Sequence, residues 1–190
     1  MENNYQIFAS AGFKVQCGCR LYVNSTFINM AKQQGFDNIL AAYVCAENED
    51  NPDIGVVTNI NVYDLSEDYR GIPSNQHSAL ERNALEQYAI SLKQANISVT
   101  NVRYLGVPAL EYTFNQMGLP TKAVYFLKNK KSYLIQVASR QNLTTKYNLV
   151  KNSFETLWQE THSNWMNQQL SLSLDSTEQE TKTSQNVNIW

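Results

Sequence analysis

The chain has 190 residues, 43% of them hydrophobic and 17% charged, and a net charge of −2. That is room for one domain with a full core and too little for two, and the near-neutral balance carries no footprint for nucleic acid or an anionic membrane. No window approaches the ~18 apolar residues of a membrane span, and Met1-Glu2-Asn3-Asn4 is not a signal-peptide start.

Taken in order, residues 5–22 read as a β-hairpin, with Phe13, Val15 and Cys17 alternating against Lys14 and Gln16. Asn24 or Ser25 then caps a short helix reaching Gln34, with Gly35 as its stop. Two strands, residues 39–46 and 55–65, flank an acidic loop containing Pro52 and are expected to form a second hairpin. Ser78-Ala79-Leu80-Glu81 carries a capping-box pattern. Behind it Leu80, Leu85, Tyr88 and Leu92 recur at helical spacing as far as Asn96.

A strand over residues 99–105 leads into a three-stranded antiparallel meander. Its strands are residues 109–114, 122–128 and 132–138, broken by Gly118-Leu119-Pro120 and by an Asn129-Lys130 turn. The last two strands are apolar on both alternating faces, which requires cover on both sides. A second good helix is predicted from Thr144 to about Trp158, turning Tyr147, Val150, Phe154 and Leu157 inward. The composition then shifts to Ser, Thr, Asn, Gln and Glu. Residues 161–190 are therefore read as a polar, flexible tail after a single domain of residues 1–160, with a brief alternation at Leu170, Leu172 and Leu174.

The expected fold class is α+β: an antiparallel sheet of about six to seven strands covered by helices on both faces, an α/β/α sandwich. The closing helix with its Ser153-Phe154 pair, and the segment from Gly106 to Tyr112 with a small-residue turn before an aromatic, resemble the PsbP/Mog/DcrB-like superfamily. The resemblance spans roughly residues 13–157. It departs from the family where an early Pro-Trp motif is usual and Gln16-Cys17-Gly18-Cys19 stands instead. It implies a mostly non-catalytic accessory or binding protein, and no family binding residue maps onto this chain.

Two local constellations invite chemistry. Cys17 and Cys19 stand two apart, so in an extended strand both thiols share a face, and Cys45 on a neighbouring strand would complete a cluster. Its readings are inert thiols, a disulfide to Cys45, a redox pair or a soft-metal site. Three free thiols are expected, because nothing in the chain marks an oxidising compartment. Glu47, Glu49, Asp50 and Asp53 crowd the acidic loop and offer oxygen ligands to a cation, without EF-hand spacing. A solvated acidic turn is the simpler reading.

Signatures of enzymes are missing: no Gly-rich phosphate loop, no Gly-x-Ser-x-Gly elbow, no His-Glu-x-x-His, and only two histidines. No catalytic residue, cofactor or metal ligand is assigned. The expected function is a non-enzymatic binding or accessory module for an unknown protein partner. The alternative is a small-molecule or cation binder, possibly enzymatic, using the sheet end near residues 47–53. The expected location is cytoplasmic, or the bacterial envelope or periplasm if an export signal has been removed.

Overall fold

The computed structural model describes residues 5–47, 55–116 and 118–157. Those up to Thr156 form one compact unit. A seven-stranded, wholly antiparallel sheet dominates it, built from β3 (Tyr22–Val23), β4 (Ile39–Glu47), β5 (Val56–Asp64), β6 (Val99–Tyr104), β7 (Val107–Gln116), β8 (Leu119–Lys128) and β9 (Lys131–Ser139). Their spatial order is β3-β4-β5-β9-β8-β7-β6. A smaller sheet joins β1 (Gln6–Phe8), β2 (Phe13–Val15) and β10 (Glu155–Thr156). The helices are α1 (Ser25–Gln33), α2 (His77–Gln94) and α3 (Leu143–Ser153). No described helix is long and apolar enough to cross a membrane.

The meander forms as its alternation requires, and its turns show why. Asn129 and Lys130 both take positive φ (55° and 57°), and so do Leu105 and Gly106 between β6 and β7. Two successive left-handed residues match the right-handed twist of the flanking strands. Of Gly118-Leu119-Pro120 only the glycine lies outside a strand, since Leu119 and Pro120 pair with Gln116 and Asn115. The predicted hairpin over residues 39–65 is β4 with β5, from Tyr43 opposite Ile60 to Glu47 opposite Val56.

Register separates two sets of side chains. Val124 faces Ile135, and Phe126 faces Tyr133. These join Ile60, Val62 and Ala109, Tyr147, Val150 and Phe154 from the α3 region, and Phe13 and Val15 from β2, in the main core. The alternate residues Leu110 and Leu127 pack with Leu85 of α2, and Tyr112 and Ala123 pack with Leu92. Further along the sheet, Ala31 of α1 meets Ile39 and Ala42.

Three expectations need correction. The hairpin over residues 5–22 is confined to β1 and β2, from Gln6 opposite Val15 to Phe8 opposite Phe13, while Tyr22 and Val23 pair with β4 of the larger sheet. The Ser78–Glu81 capping box does not form. Helix α2 starts at His77 behind Gln76, which makes no side-chain cap bond, and Glu81 instead accepts a hydrogen bond from the buried Tyr69 hydroxyl at 2.9 Å. Finally, α3 ends at Ser153, because Phe154 turns extended (φ −72°, ψ 128°) and β10 then pairs with β2. The tail, including Leu170, Leu172 and Leu174, lies outside the described residues.

Candidate functional site

The cysteines come first. Strand β2 stops at Val15, so Cys17-Gly18-Cys19 is a loop rather than a strand, and the shared-face argument loses its basis. Cys19 is bonded to Cys45, with Cα atoms 5.9 Å apart, and Cys17 is the free thiol. That separation is the ordinary one for a disulfide, and β4 supplies it by bringing Cys45 alongside the returning loop. The expectation of three free thiols is therefore overturned.

Burial, and secondarily the charge of Glu47, push the Cys17 thiol up to about 12. A buried thiol that holds its proton this firmly is a poor nucleophile near neutral pH. The Glu47 carboxylate lies over Gly18, 2.3 Å from where a Cβ would stand, so any larger residue there would make the carboxylate swing aside. Glu49, Asp50 and Asp53 fall outside the described residues. Among the described residues no three His, Cys, Asp or Glu side chains converge as metal ligands.

The Cys17–Leu21 stretch is firmly tied down. The Gln6 amide donates to the Cys19 carbonyl and accepts from the Leu21 N–H, both at 2.8 Å, and Leu21 is buried. Beyond it, Asn24 caps α1, its side chain accepting from the Phe27 N–H at 3.0 Å. The Asn24 N–H donates to the Ala42 carbonyl at 2.8 Å, fixing the helix start to β4. Gly35 at φ +88° ends α1, and the Phe36 N–H returns to the Ala31 carbonyl.

So short a helix buries only Ala31 fully, with Phe27 and Ile28 half-buried. Tyr22, Val23, Met30, Phe36 and Leu40 are left exposed, from 40% at Leu40 to 61% at Tyr22 and Val23. Eight large hydrophobic residues stand exposed among the described residues, and five of them come from this β3–α1–β4 run. The tyrosines, by contrast, serve mostly in packing. Tyr88 hydrogen-bonds Tyr112 (2.8 Å) and lies against the Tyr125 ring (centroids 4.2 Å apart), and only Tyr22 of the eleven is exposed.

A titratable cluster that the sequence reading missed lies where α3 meets β7 and β8. The Glu111 carboxylate accepts from the Tyr147 hydroxyl (2.9 Å) and pairs with Lys122 (3.1 Å) and Lys151. Tyr104 donates to the Lys151 carbonyl, and Lys122 sits 4.8 Å from the centre of the Tyr147 ring. Its only sequence signal was Glu111 on the polar side of a strand, which says nothing of partners. With the carboxylate already surrounded by protein donors, the cluster acts as a strut between helix and sheet.

Burial raises the Glu111 pKa, but hydrogen bonds from Lys151, Tyr147 and Lys122 outweigh it and hold the group below its ordinary 4.5. A depressed carboxylate contributes stability that is present above the unfolded value and lost as pH falls through the folded one. Glu111→Gln should therefore cost about 1.5–3 kcal/mol near pH 7, the range for hydrogen bonds to charged groups. Urea midpoints of variant and wild type should converge as pH is lowered below the ordinary value. A gap that stays constant down to low pH would show that charge plays no part.

The cavities described lie elsewhere again. A groove of about 410 Å³ runs between α2 and the β6–β7 edge, lined by residues including Glu86, Ile90, Lys93, Asn101 and Val102. A smaller one of about 130 Å³ adjoins it at Arg82, Leu85 and Pro108. Four strands separate β6 from β4 in the sheet, so neither cavity belongs to the end of β4 that carries Glu47.

By architecture this is an α+β protein built on a seven-stranded antiparallel sheet, with a three-stranded sheet and three helices. Compared with known proteins, the chain matches no family model and no curated protein.

Proposed function

We propose that the protein is a non-enzymatic binding or accessory module that presents β3, α1 and the start of β4 to a protein partner. The observation that carries this is the concentration of exposed apolar side chains there: Tyr22, Val23, Met30, Phe36 and Leu40. Exposed hydrophobics are normal singly, and it is the fall of five of the eight within residues 22–40 that supports an interaction surface here. The support is rigid, since the disulfide, the Gln6 clamp and the Asn24 cap all fix this corner.

The seven-stranded antiparallel sheet with its three helices supports an α/β/α sandwich reading, and a PsbP-like scaffold stays part of this proposal. In that reading α3 and the small sheet cover one side, and α1 and α2 the other. The Cys19–Cys45 bond supports an oxidising compartment such as the bacterial envelope over the cytoplasm.

Site-specific photo-crosslinking in the native host tests the surface. A crosslinker at Met30 or Phe36 should yield a discrete adduct, and one at the equally exposed Leu149 of α3 should not. Equal labelling from all three positions would overturn the assignment. So would a thermal-shift screen in which one cation or metabolite stabilises the protein and Met30→Lys leaves that shift intact.

A further inference from the structure

We infer that the protein self-associates through its other sheet edge, two copies pairing antiparallel along β6 with their α2 helices side by side. The two edges of the sheet differ. Strand β3 has only two residues, whereas β6 has six and meets β7 without a register shift. Among the described residues, no backbone hydrogen bond leaves β6 on the side away from β7.

Natural edges are blunted by proline, bulges or outward charge. Here β6 has no proline and no bulge, and its one charged residue, Arg103, is turned along the chain to the Gly106 carbonyl at 2.7 Å. Such an edge is competent to pair with another strand.

What selects a second copy as the occupant is the pattern on α2. Glu86, Ile90 and Lys93 line the groove beside Asn101 and Val102, at the middle of β6. Ile90 is 47% exposed. The side chains of Glu86 and Lys93 have no ion-pair or hydrogen-bond partner among the described residues.

In a homodimer with a two-fold axis, the same patch must complement itself. An axis beside Asn101 and Val102, perpendicular to the sheet, joins the two β6 strands antiparallel and brings each Ile90 towards its counterpart. Glu86 then lies about 6 Å before Ile90 along the helix and Lys93 about 4.5 Å after it, at 1.5 Å rise per residue. In antiparallel helices, Glu86 of each copy therefore falls opposite Lys93 of the other. The interface has an apolar centre at Ile90, near the C-terminal end of α2, flanked by two identical ion pairs beside the middle of β6. A groove that instead served a strongly charged peptide would carry one predominant sign; this one holds Arg82 and Lys93 against Glu86.

The full-length chain is examined by analytical ultracentrifugation across micromolar to submillimolar concentrations, with circular dichroism to verify folding of each variant. Wild type should approach twice the 21.7 kDa chain mass. Ile90→Glu should weaken the dimer by about tenfold or more, because the two-fold counts each change twice and like charges then meet. Glu86→Lys and Lys93→Glu should each do the same, and the double reversal should restore association. Residues 86 and 93 lie two helical turns apart, beyond direct contact within one helix, so that rescue reports pairing between copies. A wild type monomeric throughout, a dimer indifferent to Ile90→Glu, or a double reversal that fails to rescue would each overturn the inference. None of these outcomes bears on the β3–α1 surface, which lies at the opposite end of the strand order.

Discussion

Phe126→Ala should cost about 3–5 kcal/mol, the range for emptying a fully buried aromatic site. Phe126 has no exposed surface. Its ring stacks on Tyr133 at 5.1 Å and meets Tyr104 and Phe154 edge-on at 5.0 and 5.9 Å. Phe154 in turn stacks on Phe13 of the small sheet at 5.0 Å, and Phe13 on Phe8 at 4.9 Å. This run of rings connects the large sheet, the end of α3 and β1–β2, so a cavity at Phe126 is felt by all three. Chemical denaturation should show a lower midpoint with an unchanged slope. Leu149→Ala, at a 55% exposed position on α3, should stay within about 0.5 kcal/mol of wild type. Equal effects at the two positions would mean that the aromatic cluster is not the core.

Much of this arrangement was legible in the chain, for physical reasons. Leu110 and Tyr112 alternate with Glu111 and Thr113 over a long strand, and a period of two sustained that far has few other solutions. Asn129 tolerates positive φ, so the turn declared itself. The spacing of Leu85 and Leu92 placed α2 correctly on its buried side.

What escaped the reading was either too short to have a period or decided by distant residues. A two-residue strand such as Glu155–Thr156 carries no alternation, so the end of α3 and its return to β2 were invisible. Ser78 and Glu81 suited a capping box locally, but the Tyr69 hydroxyl claims Glu81. The β3–α1 surface was missed because exposure is a tertiary property. Phe27 and Met30 look alike in sequence, and only the tilt of α1 on Ile39 and Ala42 half-buries one and leaves the other out. Tyrosines suit a display surface and a core equally well in sequence, and only the fold decides: Tyr112 is buried, and burial raises the hydroxyl pKa of Tyr88 and Tyr125.

The Cys19–Cys45 bond makes a further prediction, and it can be checked by counting. Unreduced, denatured protein should titrate one sulfhydryl, that of Cys17, and reduced protein three. The bond closes a loop over a separation of 26 residues, for which the chain-entropy estimate is about 3–4 kcal/mol. That loop contains β3, α1 and the first part of β4, so the crosslink shortens the search for the elements that bear the proposed surface. The folded state retains other ties at the same place: the Gln6 amide still holds Cys19 and Leu21, and Asn24 still bonds Ala42. Cys19→Ser with Cys45→Ser should therefore remain folded near 25 °C, with a lower denaturant midpoint and crosslinking from Met30 preserved. Cys17→Ser, which breaks no bond, should change the midpoint by much less. Three sulfhydryls in the unreduced protein would remove the disulfide, and with it the case for an oxidising compartment, while leaving the packing of α1 on β4 as it stands.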